Sequence, residues 1–187
     1  MYANLYLKIA ERLDQELNKT AVTAIHGKLD FIARYNNQFD TDDQELAIPE
    51  PAILIQFLDT EWKTQSRGIQ QGDTLIVLHV GIDSIADDNY YSSNKDKALL
   101  IDAYMDLIHK AMQGFQADCS GSLNRISSAE DSNHDHKFVQ TMTYKSSITD
   151  NTASKAAQLT EKENVGIEVV REKTIETPTP VTPYVIP

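Results

Sequence analysis

The chain has 187 residues, which suits one globular domain with an appendage and is short for two full domains. Its formal net charge of -11 disfavours a surface that neutralises phosphate groups, so we expect no direct binding of nucleic acid over most of the surface. Cys119 is the single cysteine, which excludes an intramolecular disulfide and the paired cysteines of zinc ribbons.

The first segment predicts an amphipathic helix of about four turns. Its apolar residues recur at intervals of three and four, with charged residues between them. They are Tyr2, Leu5, Tyr6, Ile9, Leu13 and Leu17. The interspersed charges do not fit the apolar core of a signal peptide, and no stretch approaches the roughly 20 apolar residues of a membrane span. We therefore expect a protein made in the cytoplasm, not exported, and without a membrane partner.

Strands are predicted next. A short one falls at residues 31–35, and an acidic loop closed by two prolines follows it. Residues 52–58, "AILIQFL", form a nearly continuous apolar run typical of a central strand, and an extended conformation continues with less apolarity through residues 59–68. "GIQQGD" predicts a turn, and residues 74–83 predict a second strand. One face of this strand carries Ile76, Leu78, Val80 and Ile82, and the other carries Leu75, Val77 and His79. A hairpin is the simplest connection between the two.

A second helix is predicted at residues 97–115, where apolar residues again recur at helical spacing and Gly114 suits a terminator. A short strand in "GSLNRIS" and a longer one in "KFVQTMTYKSSIT" follow. The longer strand alternates, and its Thr and Tyr content is typical of a strand with one face toward solvent.

The element order predicts an α+β domain at residues 1–150, in which two helices pack on one face of a mainly antiparallel sheet. The character of the chain changes beyond that point. Residues 151–187 contain one strand-like patch, "VGIEVV", and then closely spaced Thr and Pro, which favour extended chain over a packed core. We expect an extended C-terminal arm.

Residues 128–138, "SAEDSNHDHKF", concentrate metal-ligand side chains between the last two strands. Asp131, Asn133 and Asp135 match the start of a calcium-binding loop, but His136 and Met142 stand where its glycine and closing glutamate belong. A transition-metal site formed by Asp131, His134 and His136 is the alternative. Asp, Asn, Ser and His are also the residues that turns prefer. We interpret the stretch as an exposed hairpin loop and expect no bound metal.

No catalytic signature accompanies these residues. His79 lies on an apolar strand and is expected to be packed, whereas His109 is expected on the solvated side of its helix. Neither Cys119 nor any serine sits in a nucleophile motif, and "GIQQGD" lacks the spacing of a phosphate-binding loop. We expect no enzymatic activity and no cofactor.

Aromatic residues mark candidate contact positions instead. Trp62 lies in the outer part of the predicted hairpin, and Tyr90 and Tyr91 lie in a loop. Aromatic residues in such positions are enriched at protein interfaces. A role in covering the edge of the core explains their positions equally well.

In their order, the segments "PEPAILIQFLDTEW", "GIQQGDTLIVLHVGID", "KALLIDAYMDLIHKAMQGF" and the closing strand pair resemble the tail-terminator or tail-completion (neck) proteins of tailed bacteriophages and prophages. The similarity extends to hypothetical phage proteins of Bacteroidetes viruses, in which a "P-x-P" before an apolar strand, a tryptophan and a "Q-x-G-D" turn recur. It covers about residues 1–150.

The resemblance implies a virion protein of the tail or neck that forms a homohexameric ring. Such a ring caps the tail tube protein at full length and docks the head-completion or neck protein, with DNA only as passing cargo. An acidic lumen would let DNA slide, since it does not attract phosphate. Because of the arm, the alternative assignment is another neck, connector or collar protein.

The predicted subunit interface is spread over the chain. Its residues are Trp62, Tyr90, Tyr91, His134, His136, Val169 and Tyr184. Two of them, His134 and His136, would gain charge near pH 6.5 and so tune a contact at the loop tip. "VGIEVV" is expected to add a strand to a neighbouring subunit.

Overall fold

A computed structural model describes residues 1–39, 48–65, 68–83, 91–93, 95–131 and 137–154. Helices and one mixed sheet make up this part of the chain, so the predicted α+β class is confirmed. In chain order the elements are α1 (Tyr2–Leu17), α2 (Thr20–His26), β1 (Phe31–Arg34), β2 (Ala52–Phe57), β3 (Glu61–Thr64), β4 (Gln70–Asp83), α3 (Lys95–Met112), β5 (Asn124–Asp131) and β6 (Lys137–Asp150).

Both predicted helices form. The stripe of α1 that faces the sheet consists of Leu5, Ile9, Leu13 and Leu17, which recur every four residues and are at most 1% exposed. This spacing stacks side chains along one face of a helix, so α1 buries a continuous apolar ridge. α3 starts and ends slightly earlier than predicted, and Gly114 follows it at φ 77°, in the left-handed region that glycine adopts readily.

Helix α2 was not predicted. Four of its seven residues, Thr20, Val22, Thr23 and Ile25, are β-branched, and none of the seven is buried. Branching at Cβ lowers helix propensity. Because no face of α2 is buried, its sequence also lacks the periodic apolar pattern that would predict a helix. Gly27, at φ 78°, ends it.

The sheet has the strand order β1-β2-β4-β6-β5, with β3 also paired to β4. β1 and β2 are parallel, and the other pairs are antiparallel. β4 and β6 pair along their whole length, 14 residues each, and form the centre of the sheet. The predicted pairing of the segments after Pro51 and after the "GIQQGD" stretch is confirmed by the β2–β4 ladder.

Two predictions about this region were wrong in detail. β2 does not continue unbroken: three residues between Phe57 and Glu61 lie opposite two residues of β4, and this bulge separates β3 from β2. Within "GIQQGD", only Gly68 and Ile69 belong to the turn between β3 and β4, and residues 70–73 are the start of β4. Gly72 lies within this strand, and glycine suits the position because a Cβ would stand 2.6 Å from the Glu61 carbonyl oxygen.

β5 extends to Asp131, so residues 128–131 are strand rather than loop. Every residue of β5 from Asn124 to Glu130 is exposed, so no alternation of polarity marks it as a strand. β5 and β6 are antiparallel neighbours, as the closing strand pair predicts, and residues 132–136 between them lie outside the described residues.

The main core lies between the helices and one face of the sheet. It joins the α1 stripe and α3 to alternate residues of the central strands, among them Ile53, Ile76, Leu78, Met142 and Tyr144. A smaller apolar cluster of Phe39, Ala52, Leu54 and Val139 covers part of the opposite face. The rest of that face, over β3, β4, β6 and β5, carries no helix in the part of the chain that the structure describes.

Of the predicted arm, only residues 151–154 fall within the described range, and Ser154 is buried. The "VGIEVV" segment lies outside it. No helix among the described residues is long and apolar enough to cross a membrane.

Candidate functional site

Trp62 lies at a corner where β3 meets the start of α1. Its indole contacts the Tyr2 ring edge to face, with centroids 6.4 Å apart, and Tyr2 also packs against Phe57. The Tyr2 hydroxyl hydrogen-bonds the Thr60 side chain at 2.8 Å. One flank of the half-buried indole therefore covers the core edge. A role for the other flank in a subunit interface remains a prediction.

One of the remaining predicted interface residues, Tyr91, lies within the described residues. Tyr91 exposes 93% of its surface. Tyr90, His134, His136, Val169 and Tyr184 lie outside the described residues. The interface assignment therefore remains a prediction for all of them.

Asp131 ends β5 and is half-buried, whereas the two histidines of the alternative metal site lie outside the described residues. Within the described ranges, no group of three or more His, Cys, Asp or Glu side chains could hold a metal ion.

His79 is packed, as its position on an apolar strand predicts. It is 9% exposed, its ring stacks on Tyr35 with centroids 3.8 Å apart, and its Nε2 lies 2.8 Å from Gln56 Oε1. These two contacts fix the orientation of the imidazole and give it a structural role.

The prediction that His109 is solvated was wrong. His109 is half-buried, and its Nδ1 lies 3.4 Å from the hydroxyl of the buried Tyr144. Burial lowers the pKa of His109, and the positive charge of Arg125 lowers it further, whereas Asp106 opposes the shift. His109 directly follows the buried Ile108 in α3, and Tyr144 of β6 covers part of its ring.

The uncovered face of the sheet holds an open cleft of about 760 Å³. Its floor is β4 beside β6, where Lys145 Nζ and Asp73 Oδ2 form a salt bridge of 2.9 Å. The charged side chains around it are Asp59, Glu61, Lys63, Asp73 and Lys145, and Ile126 adds an exposed apolar rim. The other lining residues are mainly polar, and Leu75 is the second apolar side chain, so the cleft is a largely polar, charged surface.

Sequence reasoning missed this cleft. Asp73 belonged to a predicted turn and Glu61 to a predicted continuous strand, so no pattern placed them beside Lys145. The available signal was the alternation of Thr141, Thr143 and Lys145 along β6, which marks a polar sheet face.

The two sheet edges differ. β1 is a short edge strand of four residues, whereas β5 is an edge strand of eight residues. At the start of β5, the Arg125 N–H is already bonded to Gln113 Oε1 at 3.0 Å. A bulge at Ile126 separates that end from the regular stretch Ser127–Glu130, which pairs with β6 on one side and has no other described strand beside it.

No protein-family model matches the chain, and no curated protein matches it. Among solved structures, the chain is similar to a component of the virion of a native gene transfer agent particle, with 8% identity and a TM-score of 0.50. The match covers 80% of this chain and 97% of that one. The likeness at this identity is one of fold. The chain therefore shares its fold with nearly the whole of a virion-particle component.

Proposed function

We propose that the chain is a structural virion protein that caps a phage tail tube as a ring and joins the tail to the head-neck complex. The observation that carries the proposal is the fold match to 97% of a chain from a gene transfer agent virion, because both folds align over almost the whole of that component. The order of segments in the sequence, which resembles tail terminators, supports the finer assignment.

Two features of the described surface suit an assembling subunit. The cleft over β3, β4 and β6 presents paired charges beside an exposed isoleucine, and the β5 edge presents backbone groups. A subunit of a closed ring needs two different contact surfaces, since each copy meets a neighbour on either side. We take the protein to act by assembly rather than by catalysis.

The net charge of -11 suits a channel for DNA. Acidic groups repel phosphate, so a duplex passing through such a ring is not held at fixed positions. Under this proposal, DNA is cargo and the bound partners are the tail tube protein and the head-completion or neck protein.

Loss of the gene in a particle-producing strain tests the proposal. Tail terminators set tail length and permit joining, so we expect tails of irregular length that accumulate beside unjoined heads in electron micrographs. Tails of normal length that detach easily from heads would instead favour a connector or collar protein. Intact, infectious or transducing particles would contradict both assignments.

A further inference from the structure

The β5 edge has the properties of a surface that accepts another strand. Among the described strands β5 ends the strand order, and an edge strand presents backbone N–H and C=O groups that can pair with a further strand. Within its regular stretch, Ser127, Ser128 and Ala129 are small and exposed, so their side chains leave the backbone approachable. Neither proline nor lysine, the residues that commonly protect an edge, occurs in β5.

Residues 151–154, the described start of the C-terminal segment, lie on the side of β6 away from the β5 edge of their own copy. After β6, residues 151–154 pack beside the β3–β4 connection: a Cβ at Gly68 would lie 2.3 Å from the Ala153 carbonyl oxygen. The connection lies on the β4 side of β6, whereas β5 lies on the other side. The exit and the edge are therefore separated by three strand spacings, roughly 14 Å.

This geometry fits a head-to-tail contact between copies. A segment that leaves on the β3 side of one copy meets the β5 side of the next, and repetition of one such contact closes a ring. Residues 155–164 can span at most about 35 Å when extended, which is enough to cross to an adjacent subunit. The same length also covers the distance to the β5 edge of its own copy, so the experiment below distinguishes the two.

The segment that follows this linker has strand character. Residues 165–170 read "VGIEVV", with Val165, Ile167 and Val169 on one face of an extended chain. Glu161 and Glu163 precede it, and two cations follow it on the same face at alternate positions, Arg171 and Lys173.

Along β5 a cation comes first and an acidic residue last, which is the reverse of the order around residues 165–170. Arg125 stands near its start and Glu130 near its end, both on the helix-side face of the sheet. A parallel alignment therefore brings Glu163 toward Arg125 and Arg171 toward Glu130, whereas an antiparallel one opposes like charges. Opposite charges on neighbouring strands are favourable, and like charges are not.

We propose that residues 165–170 of one copy add a parallel strand to the β5 edge of the neighbouring copy. This inference rests on the proposed ring, because it requires a second copy of the chain. Backbone pairing holds the segment, and the flanking charges fix its direction.

Disulfide trapping between full-length chains tests the pairing. One preparation carries Ser128→Cys and the other Ile167→Cys, both with Cys119→Ser, and the two are mixed, re-equilibrated and mildly oxidised. We expect a disulfide-linked heterodimer from the mixture and at least several-fold less from either preparation alone. Glu168→Cys is the matched control, because neighbouring strand residues point to opposite faces and its yield with Ser128→Cys is expected to be several-fold lower.

A single chain that carries both Ser128→Cys and Ile167→Cys shows whether the paired segment comes from the same copy or from a neighbouring copy. Covalent ladders on a non-reducing gel support pairing between copies, whereas monomers with an internal disulfide overturn it. Arg171→Glu is expected to reduce the yield several-fold, and Glu130→Arg in the partner preparation to restore it. If Cys119→Ser impairs folding, the same experiment with Cys119 retained, compared with the unsubstituted chain, gives the same readout.

The outcomes also separate this inference from the proposed function. Rings without any trapped heterodimer contradict the strand addition and leave the ring intact. Trapped ladders without closed rings support the strand addition and contradict the cap.

Discussion

Tyr35 and His79 stack face to face, with ring centroids 3.8 Å apart and an angle of 3° between the ring planes. Tyr35 follows β1 and His79 lies in the middle of β4. The stack therefore holds the segment after β1 against the face of β4. Next to it, the Phe39 ring covers Gly81, where a Cβ would come within 2.6 Å of the ring. These contacts cover one end of the sheet face. The other end, over β3, β4 and β6, holds the cleft.

A double-mutant cycle measures the contribution of the stack. Tyr35→Ala and His79→Ala should each lower the free energy of unfolding, and their effects should fall short of additivity by about 0.5–1.5 kcal/mol, the usual coupling of a stacked aromatic pair. Urea denaturation followed by circular dichroism gives the values. Full additivity would show that the two rings stabilise the fold independently.

Removing one buried hydroxyl should stabilise the protein. Tyr104 is 2% exposed, and among the described residues nothing hydrogen-bonds its Oη. A buried polar group without a partner costs free energy, so Tyr104→Phe is expected to raise the free energy of unfolding by about 1 kcal/mol.

Tyr144→Phe is the matched control for that substitution. Its hydroxyl lies 3.8 Å from Met142 Sδ, to which it donates, and 3.4 Å from His109 Nδ1. The same loss of one oxygen should therefore be neutral or destabilising at this position. A destabilising Tyr104→Phe would contradict the account of the orphaned hydroxyl.

Alkaline pH should weaken the fold through the same tyrosines. Burial raises the pKa of Tyr144 to about 12 and raises the pKa of Tyr104 as well, whereas an unfolded tyrosine titrates near 10. Below pH 10 both states are protonated and the full stability is present. Above pH 10 the unfolded chain loses the proton first, so stability falls by up to about 1.4 kcal/mol per pH unit for each tyrosine.

Unfolding of the wild type and of Tyr144→Phe at pH 9, 10 and 11 isolates one of these contributions. The wild type should lose more stability than the variant between pH 10 and pH 11. Equal slopes would show that the Tyr144 hydroxyl ionises as readily in the folded protein as in the unfolded chain.

Trp62 reports on assembly because it is the sole tryptophan. One flank of its indole packs on Tyr2, and the residue as a whole is half-buried. If the other flank enters a subunit contact, assembly should shift the fluorescence maximum to shorter wavelength than in the dissociated chain. An unchanged maximum would leave Trp62 as part of the core edge alone.

The sequence was informative wherever burial is periodic. The α1 stripe repeats every four residues, and the strand after Pro51 is a buried apolar run, so both could be recognised locally. α2 and the second half of β5 could not be recognised, because neither has a buried face and secondary structure without burial leaves no polarity pattern.

The cleft was hidden for a different reason. Asp73 and Lys145 are far apart in the sequence, and only the register of β4 against β6 brings them within 2.9 Å. The bulge after Phe57, which sets β3 beside them, depends on one extra residue that no local pattern reveals. A surface formed by register therefore requires the structure.

The central claim is that this chain closes into a ring. Native mass spectrometry of the purified full-length protein, with negative-stain imaging and metal analysis of the same sample, tests it most directly. We predict a species of six chains, six-fold rings in the images and no stoichiometric metal. A monomer loaded with one metal ion per chain would contradict the account and support the site formed by Asp131, His134 and His136.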